Sequence, residues 1–584
     1  MPQKLGRYDI EYTMMLALMR GGWVERCAHG TRAAVQIRHH SVSYNETVKK
    51  LNSLHKSSLN YLANVRNMKH YMKRIGHNIS DLSKLNILHV TGTKGKGSTC
   101  TFCESILRHH GYKTGVFSSP HLVSITERFL CGGKPVEKDV FKDHFWDIYN
   151  KLSITKELED DMPHIFPFLT LLAFDLFLAQ GVDALILEVG IGGQYDCTNI
   201  VETPTVCGVT SLHVDHISQL GNTIESVAWH KGGIFKPGRP AVTVPQDPLA
   251  MTVLEDRAEE IGMTLYEAPP LSSYDNGPEP IRLGIPGHVQ DVNASLAIQM
   301  CTIWLESHKN RLGATSATES VTSTIIEGSN RAKKTKGFTL TVNMKNGLTQ
   351  ATLPGRAHVI SRPGVTYYLD PAHTDLSIQH CMKWFDRKAE KERKKLTGRV
   401  ARILIFYGAQ GRDHRKHLSI LQALPLDAVI FTPYASPTED CCTDYIYENA
   451  TKEEQFQNVL SFKEFWENTT APAEGKFSGK PCASFTARSF PGALIAATGG
   501  RDLSIRGIDD SISEDLSDSS CMTSFGDRYR GPGVYNEASR KDRKSLDCPE
   551  LPEEVQKADH VQILIVGGFK IVGHGLWYLR GKLF

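Results

Sequence analysis

No stretch of this 584-residue chain combines the length and apolarity of a membrane-crossing helix. The most apolar helical run, Phe166 to Ala179, carries Pro167 and Asp175 and is too short for a bilayer, so it predicts a buried helix. An excess of one charge is missing too. Lys and Arg total 67 against 64 Asp and Glu, a formal net charge of +3, and no basic stripe dominates, so no nucleic-acid partner is expected. The thirteen cysteines follow no repeated spacing. An odd, irregular set predicts free thiols in a reducing compartment and argues against structural zinc; the adjacent Cys441 and Cys442 read as incidental. With 40% hydrophobic and 22% charged residues, the composition suits a globular, soluble protein of more than one domain.

The first forty residues stand apart. They carry Lys4, Arg7, Arg20, Arg26, Arg32 and Arg38 against Asp9, Glu11 and Glu25. This basic segment with apolar patches reads either as a mitochondrial presequence or as a basic tail, and Met14 or Met15 offers an internal start.

From about Tyr44 to Leu85 the apolar spacing is helical. Asn86–Val90 (NILHV) then predicts a strand, a glycine-rich loop follows, and a helix runs from near Ser98 to Gly111. Further strands are expected in 113–119, 183–193, 204–212 and 239–246, with helices between them. The product is a mostly parallel sheet with sites at the C-terminal strand ends. A second block starts after 353–360, with strands in 365–370, 402–408, 427–434 and 561–568. Its polar, Ser- and Asp-rich interior, about 471–554, predicts a disordered insertion, and 306–346 a shorter loop near the domain junction.

The loop Val90-Thr91-Gly92-Thr93-Lys94-Gly95-Lys96-Gly97-Ser98-Thr99 departs from the common spacing G-x-x-x-x-G-K-[ST], because Gly97 separates Lys96 from Ser98. It still sits at a strand–loop–helix junction. There glycines let backbone N–H groups converge on an anion, the helix N-terminus adds positive potential, and a lysine neutralises phosphate. Nucleotide binding is the favoured reading. Magnesium would need oxygen ligands, and Glu188 ends a buried strand beside that loop; it reads equally as a metal ligand or as a strand-end cap. His213, Asp215 and His216 follow the next strand in no zinc spacing, and a structural His213 is the simpler reading. Lys231, in WHKGGIFKPG, reads alone as a surface lysine.

Seven segments occur in order: VTGTKGKGST, SSPHL, LEVGIGGQYDCTN, SLHVDHISQLGNTIESVAWHKGGIFKPG, GHVQDVNASLA, LPGR and YYLDPAHT. Together they resemble the folylpolyglutamate synthases, Mur-ligase-like ATP-dependent amide ligases, in their eukaryotic form. The likeness is close from Tyr44 to Ile360 and returns at VQILIVGGFKIVGHGLWYL. It implies a Mur-ligase-like P-loop ATPase domain over 44–350, with a mostly parallel α/β sheet. An N-terminal extension, 1–43, precedes it, and a smaller Rossmann-like C-terminal α/β glutamate-ligase domain, 351–584, follows. By the same resemblance Gly95, Lys96, Gly97 and Ser98 hold the ATP phosphates, and Ser119, Glu188 and His216 ligate Mg2+. Lys231 is the lysine carbamylated to support a second magnesium. Arg356 and Asp370 contact ATP, and His373 lies near the nucleotide and the incoming glutamate. Lys96, Lys231 and His373 are therefore the implied catalytic residues. A monovalent cation, a monomeric state, a cytoplasmic and mitochondrial location (matrix or inner membrane) and peripheral association with mitochondrial membranes complete the implied set.

The implied reaction phosphorylates the γ-carboxyl of tetrahydrofolate or its polyglutamates with ATP. The amine of L-glutamate then attacks the acyl phosphate. Each added glutamate brings anionic charge that hinders escape of the folate and so sustains one-carbon metabolism. Three positions depart from the family pattern: Pro371 within Asp370-Pro371-Ala372-His373, the stretch YGAQGRD at 407–413, and Val566-Gly567-Gly568, which lacks the family's hydroxyls. Two rivals remain, a dihydrofolate synthase and an ATP-binding homologue impaired in ligation. A kinase fits least.

Overall fold

The computed structural model describes residues 42–54, 64–156, 161–275, 280–287, 289–311, 332–408, 413–434, 451–469, 482–502 and 548–579, with 277, 325, 326, 444 and 505. The N-terminal segment read as presequence or tail, and Arg412 of the YGAQGRD stretch, lie outside the described residues.

Ten strands of the described chain form the first sheet: β1 (Leu88–Thr91), β2 (Thr114–Phe117), β3 (Phe129–Cys131), β4 (Lys134–Pro135), β5 (Ala184–Glu188), β6 (Val206–Val209), β7 (Ala241–Thr243), β8 (Leu265–Glu267), β9 (Ile325–Ile326) and β10 (Lys333–Thr335). Their order is β4-β3-β2-β5-β1-β6-β7-β8-β10-β9. Strands β2, β5, β1, β6, β7, β8 and β10 run parallel, and β3, β4 and β9 add antiparallel edges. Every residue of β1, β5 and β6 is buried, as expected where helices cover both faces and a strand reads as an unbroken apolar run.

On one face pack helices Lys96–His109 and Gln290–Arg311, around Phe102, Ile106, Met300 and Trp304. Gly208 in β6 allows this: a Cβ there would stand 2.4 Å from the Met300 sulfur. The other face takes helices Lys138–Ile154 and Ile165–Gln180 with the N-terminal helices Tyr44–Asn52 and Asn64–Arg74. Helix Ile165–Gln180 is the buried helix expected from the sequence. Each fully buried Phe or Leu on it is worth about 1.5–3 kcal/mol. Its Asp175 accepts from His77 Nε2 (2.8 Å) and His144 Nδ1 (2.6 Å), so a carboxylate ties helices Lys138–Ile154 and Ile165–Gln180 to the connection that follows helix Asn64–Arg74.

Six described strands form the second sheet: β11 (His358–Arg362), β12 (Val365–Asp370), β13 (Val400–Phe406), β14 (Ala428–Phe431), β15 (Ala483–Thr486) and β16 (His560–Val566). The order is β11-β12-β16-β13-β14-β15, all parallel except β11. The last strand in the chain thus enters the middle of the sheet, and the C-terminal ends of β12, β16 and β13 lie side by side.

Two expectations need correction. The stretch 471–554 is not a disordered whole. Residues 482–502 form β15 and helix Phe490–Thr498, with Ser489 as N-cap, Pro491 in the first turn and Gly499 as a left-handed C-cap. Their short apolar signal is swamped in a window dominated by the Ser- and Asp-rich 506–547, which lies outside the described residues. Likewise, 306–346 is not simply a loop: it holds the end of helix Gln290–Arg311, strand β10 and the start of helix Val342–Gln350. One feature escapes the irregular cysteine spacing. Cys100 and Cys103 are a C-x-x-C pair on helix Lys96–His109, and both are buried free thiols.

Candidate active site

The glycine loop joins the end of β1 to helix Lys96–His109, whose N-cap is Gly95. Gly92 and Gly95 have φ of 146° and 96°, which a side chain would resist. Space forbids one as well: a Cβ would stand 1.7 Å from Thr210 Oγ1 at Gly92 and 2.1 Å from Asn293 Oδ1 at Gly95. The N–H groups of Thr93 and Lys94 both donate to Ser211 O (3.0 and 3.1 Å), and Thr93 Oγ1 donates to His213 O (3.0 Å). The loop is therefore braced by the residues that follow β6. No acidic residue occupies the first turn of the helix, which keeps Lys96, Gly97 and Ser98 in positive potential.

Two lysines meet behind this loop. Lys96 Nζ and Lys231 Nζ both donate to Gly92 O, at 3.1 and 2.8 Å. Lys231, at the end of helix Ile224–Gly232, is 4% exposed, not a surface lysine. Burial first, and the charge of Lys96 second, push its amine well below the ordinary lysine range, while Asp196 and Asp215 pull the other way. Burial thus disfavours the charged form of the Lys231 amine.

Glu188, at the C-terminal end of β5, is buried beside the first turn of the helix: a Cβ on Gly97 would lie 3.9 Å from its Oε2. The same oxygen accepts from Ser119 N at 3.2 Å. Burial raises the Glu188 carboxyl, opposed by Lys96, the Ser119 N–H, Arg356 and Arg128 in that order. A buried carboxylate beside a serine hydroxyl offers hard oxygen donors, the chemistry that suits a magnesium ion. His216 lies in the segment that follows β6. It is exposed, holds φ of 52° at the start of helix Ile217–Leu220, and its N–H donates to Asp215 Oδ1 (2.9 Å). Asp215 in turn pairs with Lys94 at 3.6 Å. Ser119 and Glu188 are thus joined directly. Among the described residues, no group of three His, Cys, Asp or Glu is arranged to hold a metal.

The second sheet contributes Arg356, Asp370 and His373. Asp370 ends β12, and its two oxygens accept from Ala357 N (2.9 Å) and Ala372 N (3.0 Å). Burial raises its carboxyl and the neighbouring Arg356 opposes this. Arg356 therefore acts on Glu188 of the first sheet and on Asp370 of the second, with its guanidinium 5.3 Å from the Phe569 ring centre. Ala357 takes φ of 43°, an uncommon conformation for a residue with a Cβ, beside that arginine. His373 Nδ1 lies 2.8 Å from Pro371 O, which fixes the proton on Nδ1 because a carbonyl only accepts. Its ring stands 5.6 Å from Phe569. Pro371 lacks an N–H but supplies the acceptor that orients His373. After β16, Gly567 leaves room for Tyr407 O, 2.0 Å from where its Cβ would be. The next turn brings Lys570 Nζ to 3.3 Å from Tyr434 OH.

Residue patterns alone miss several members of this constellation. Asn293, buried against Gly95, donates to Gln290 Oε1 at 3.0 Å; both belong to GHVQDVNASLA, and their nearness to the loop is the signal that spacing cannot give. Thr210 and Arg128 are others.

No protein-family profile matches the chain. It is 44% identical over 407 residues to the mitochondrial folylpolyglutamate synthase of Bos taurus, an alignment covering 67% of this chain and 68% of that protein. Its structure is similar to that of Mycobacterium tuberculosis folylpolyglutamate synthase complexed with ADP and AMPPCP, with a TM-score of 0.58, 19% identity and coverage of 93% of this chain and 100% of the other. It is also similar to a bifunctional folylpolyglutamate synthase/dihydrofolate synthase with Mn, AMPPNP and L-glutamate bound, with a TM-score of 0.54, 20% identity and coverage of 92% and 98%. At these identities the two structures speak to the fold.

Proposed function

The chain belongs to the folylpolyglutamate synthase family and is an ATP-dependent ligase that adds L-glutamate to folates; we propose that it does so where Lys96, Ser119, Glu188, Arg356 and Asp370 converge. The observation that carries this reading is Glu188, buried beside the helix that opens at the glycine loop and within the electrostatic influence of Arg356, which precedes β11.

Gly95, Lys96, Gly97 and Ser98 hold the ATP phosphates through backbone N–H groups and the lysine charge. Ser119 and Glu188, with His216 as third ligand, would hold Mg2+, which supplies neutralising charge to the transferring phosphoryl group. The γ-phosphoryl bond to ADP breaks as a folate γ-carboxylate oxygen takes the group, and Lys96 and Arg356 balance charge along that path. Arg356 and Asp370 contact the nucleotide from the second sheet. His373, with its proton held at Nδ1 by Pro371, presents Nε2 to accept a proton from the glutamate ammonium. The amine then attacks the acyl phosphate, the C–O bond to phosphate breaks, and an amide forms. Buried, with its amine pushed below the ordinary lysine range, Lys231 Nζ is suited to take up CO2 as a carbamate, a further oxygen donor beside the loop.

The division into 1–43, 44–350 and 351–584, a monovalent cation, a monomer and peripheral association with mitochondrial membranes belong to the same proposal. A mitochondrial location is supported by the mitochondrial relative and the basic first forty residues, and a cytoplasmic location belongs to the same proposal. Among the described residues no helix is long and apolar enough to cross a membrane. The test is a ligation assay offering tetrahydrofolate or dihydropteroate with labelled L-glutamate and counting added glutamates by mass spectrometry. Extension of tetrahydrofolate supports the reading. Use of dihydropteroate alone would make the chain a dihydrofolate synthase, and nucleotide binding without folate-dependent ADP would make it an impaired homologue.

A further inference from the structure

The segment that carries Ser119 is gripped from both halves of the chain. Leu122, which follows it closely, packs in the core of the second sheet. Two glycines open the slot: a Cβ on Gly573 would stand 2.0 Å from Leu122 O, and one on Gly355 2.7 Å from Leu122 Cδ1. Just beyond, the segment meets Asp444, in the connection between β14 and helix Lys452–Asn468. A single oxygen, Asp444 Oδ2, accepts from Tyr44 OH (2.5 Å), Ile125 N (2.7 Å) and Ser124 Oγ (3.0 Å), and Asp444 N donates to Val123 O (2.8 Å). Tyr44 OH also lies 3.0 Å from Ser124 Oγ.

Glu127 takes the remaining amides: Leu122 N at 2.7 Å, Val123 N at 3.0 Å and Ser124 N at 2.7 Å. Every backbone N–H from Leu122 to Ile125 is thus claimed by a carboxylate. Two acidic side chains held against one short segment repel each other, and the charge of Asp444 adds to the burial that raises the Glu127 carboxyl. The hydrogen bonds that both carboxylates accept oppose the burial and the repulsion, and together they fix the position of the segment. At the other end of the segment lies the Ser119 N–H on Glu188. The clamp therefore joins three parts of the chain: the N-terminal helix through Tyr44, the metal corner through Ser119, and the second sheet through Leu122 and Asp444.

We propose that Asp444 is a positioning residue for phosphoryl transfer: through Ile125, Ser124 and Tyr44 it seats segment 119–125 against the second half, so that Ser119 and Glu188 align with Arg356. This rests on the reading of Ser119 and Glu188 given above. Misalignment of reacting groups penalises the transition state more than ground-state binding. In the full-length protein, Asp444→Ala should lower kcat about tenfold or more and leave KM for ATP within about threefold. Asp444→Asn, which keeps an acceptor oxygen for Ile125 N–H, should stay within about threefold of wild type in both. Hydrogen exchange of residues 119–128 should quicken in Asp444→Ala and not in Asp444→Asn. An unchanged kcat or unchanged exchange in Asp444→Ala, equal loss of kcat and ATP affinity, or equal damage from Asn and Ala, each overturns the proposal. Should Asp444→Ala not fold, the double variant Tyr44→Phe/Ser124→Ala removes two of the three donors; a several-fold drop in kcat at constant KM supports the clamp, and wild-type kcat refutes it. Exchange needs no turnover. A wild-type protein whose clamp responds as described but which extends no folate therefore counts against the assigned reaction and not against the clamp.

Discussion

Lys96 and Lys231 share one acceptor, the carbonyl oxygen of Gly92. Two positive charges at one buried oxygen repel, and burial together with the charge of Lys96 pushes the amine of Lys231, the more buried of the two, well below the ordinary lysine range. Lys96 thus stands at the first turn of the helix that follows the loop, and Lys231 lies buried behind it.

The carbamate proposed on Lys231 predicts that ligation depends on CO2. Wild-type ligation should fall when CO2 is stripped from the buffer and recover on adding bicarbonate. Lys231→Ala should lose about 100-fold or more in kcat and show no bicarbonate response. Steady-state rates in degassed and bicarbonate-supplemented buffer check this. A wild-type rate indifferent to CO2 removes the carbamate from the mechanism.

Lys96→Ala should abolish turnover, by about 100-fold at least, with the far-ultraviolet circular dichroism of the wild type retained. Its side chain is only part-buried and its hydrogen bond is to a carbonyl that Lys231 also serves, so the fold survives its loss. A variant near wild-type activity would place the phosphates elsewhere.

Gly95→Ala should weaken nucleotide binding and destabilise the protein by about 1–3 kcal/mol. The new methyl would require φ of 96° and would run into Asn293 Oδ1. Denaturant titration and fluorescent-nucleotide binding measure the two effects. The companion Asn293→Ala should relieve the clash but not the backbone strain.

Glu188 links pH to stability with a definite sign. Burial raises its folded-state carboxyl above the unfolded value, so the folded form holds its proton more tightly and stability declines as pH climbs past the unfolded value, about 4.3. Glu188→Gln should therefore raise the thermal midpoint of the metal-free protein at about pH 8 and change it little at about pH 3, where both states are protonated. The same variant should lose magnesium-dependent activity. Scanning calorimetry at both pH values decides; an equal shift at each would show that the gain is not electrostatic.

Much of this architecture is legible in the residues. Strands covered on both faces, such as ALILE of β5 and VTYYLD of β12, read as branched, apolar runs, and the glycine loop announces a strand-to-helix turn. Strands β8, β10 and β15 (LYE, KKT and ASFT) do not, because three or four residues of mixed polarity owe their conformation to a neighbour's ladder. The site divides in the same way. Glu188 and Lys231 stand out only as a strand end and a helix end, and their burial, which gives them their chemistry, is a property of packing. Arg356 reaching both Glu188 and Asp370 is invisible in sequence, since the two sheets that bring these groups together are built from distant stretches of chain.

Ala357 holds an awkward backbone angle beside Arg356, and its N–H is tethered to Asp370. That coupling constrains the order in which a lineage can explore these positions. Exchange of Asp370 while Ala357 remains releases the kink and swings the arginine away, whereas prior arrival of glycine at 357 lets the bend persist unaided. Historical paths through this corner should run through glycine first, and ancestral reconstructions carrying an altered 370 should already have shed the methyl at 357.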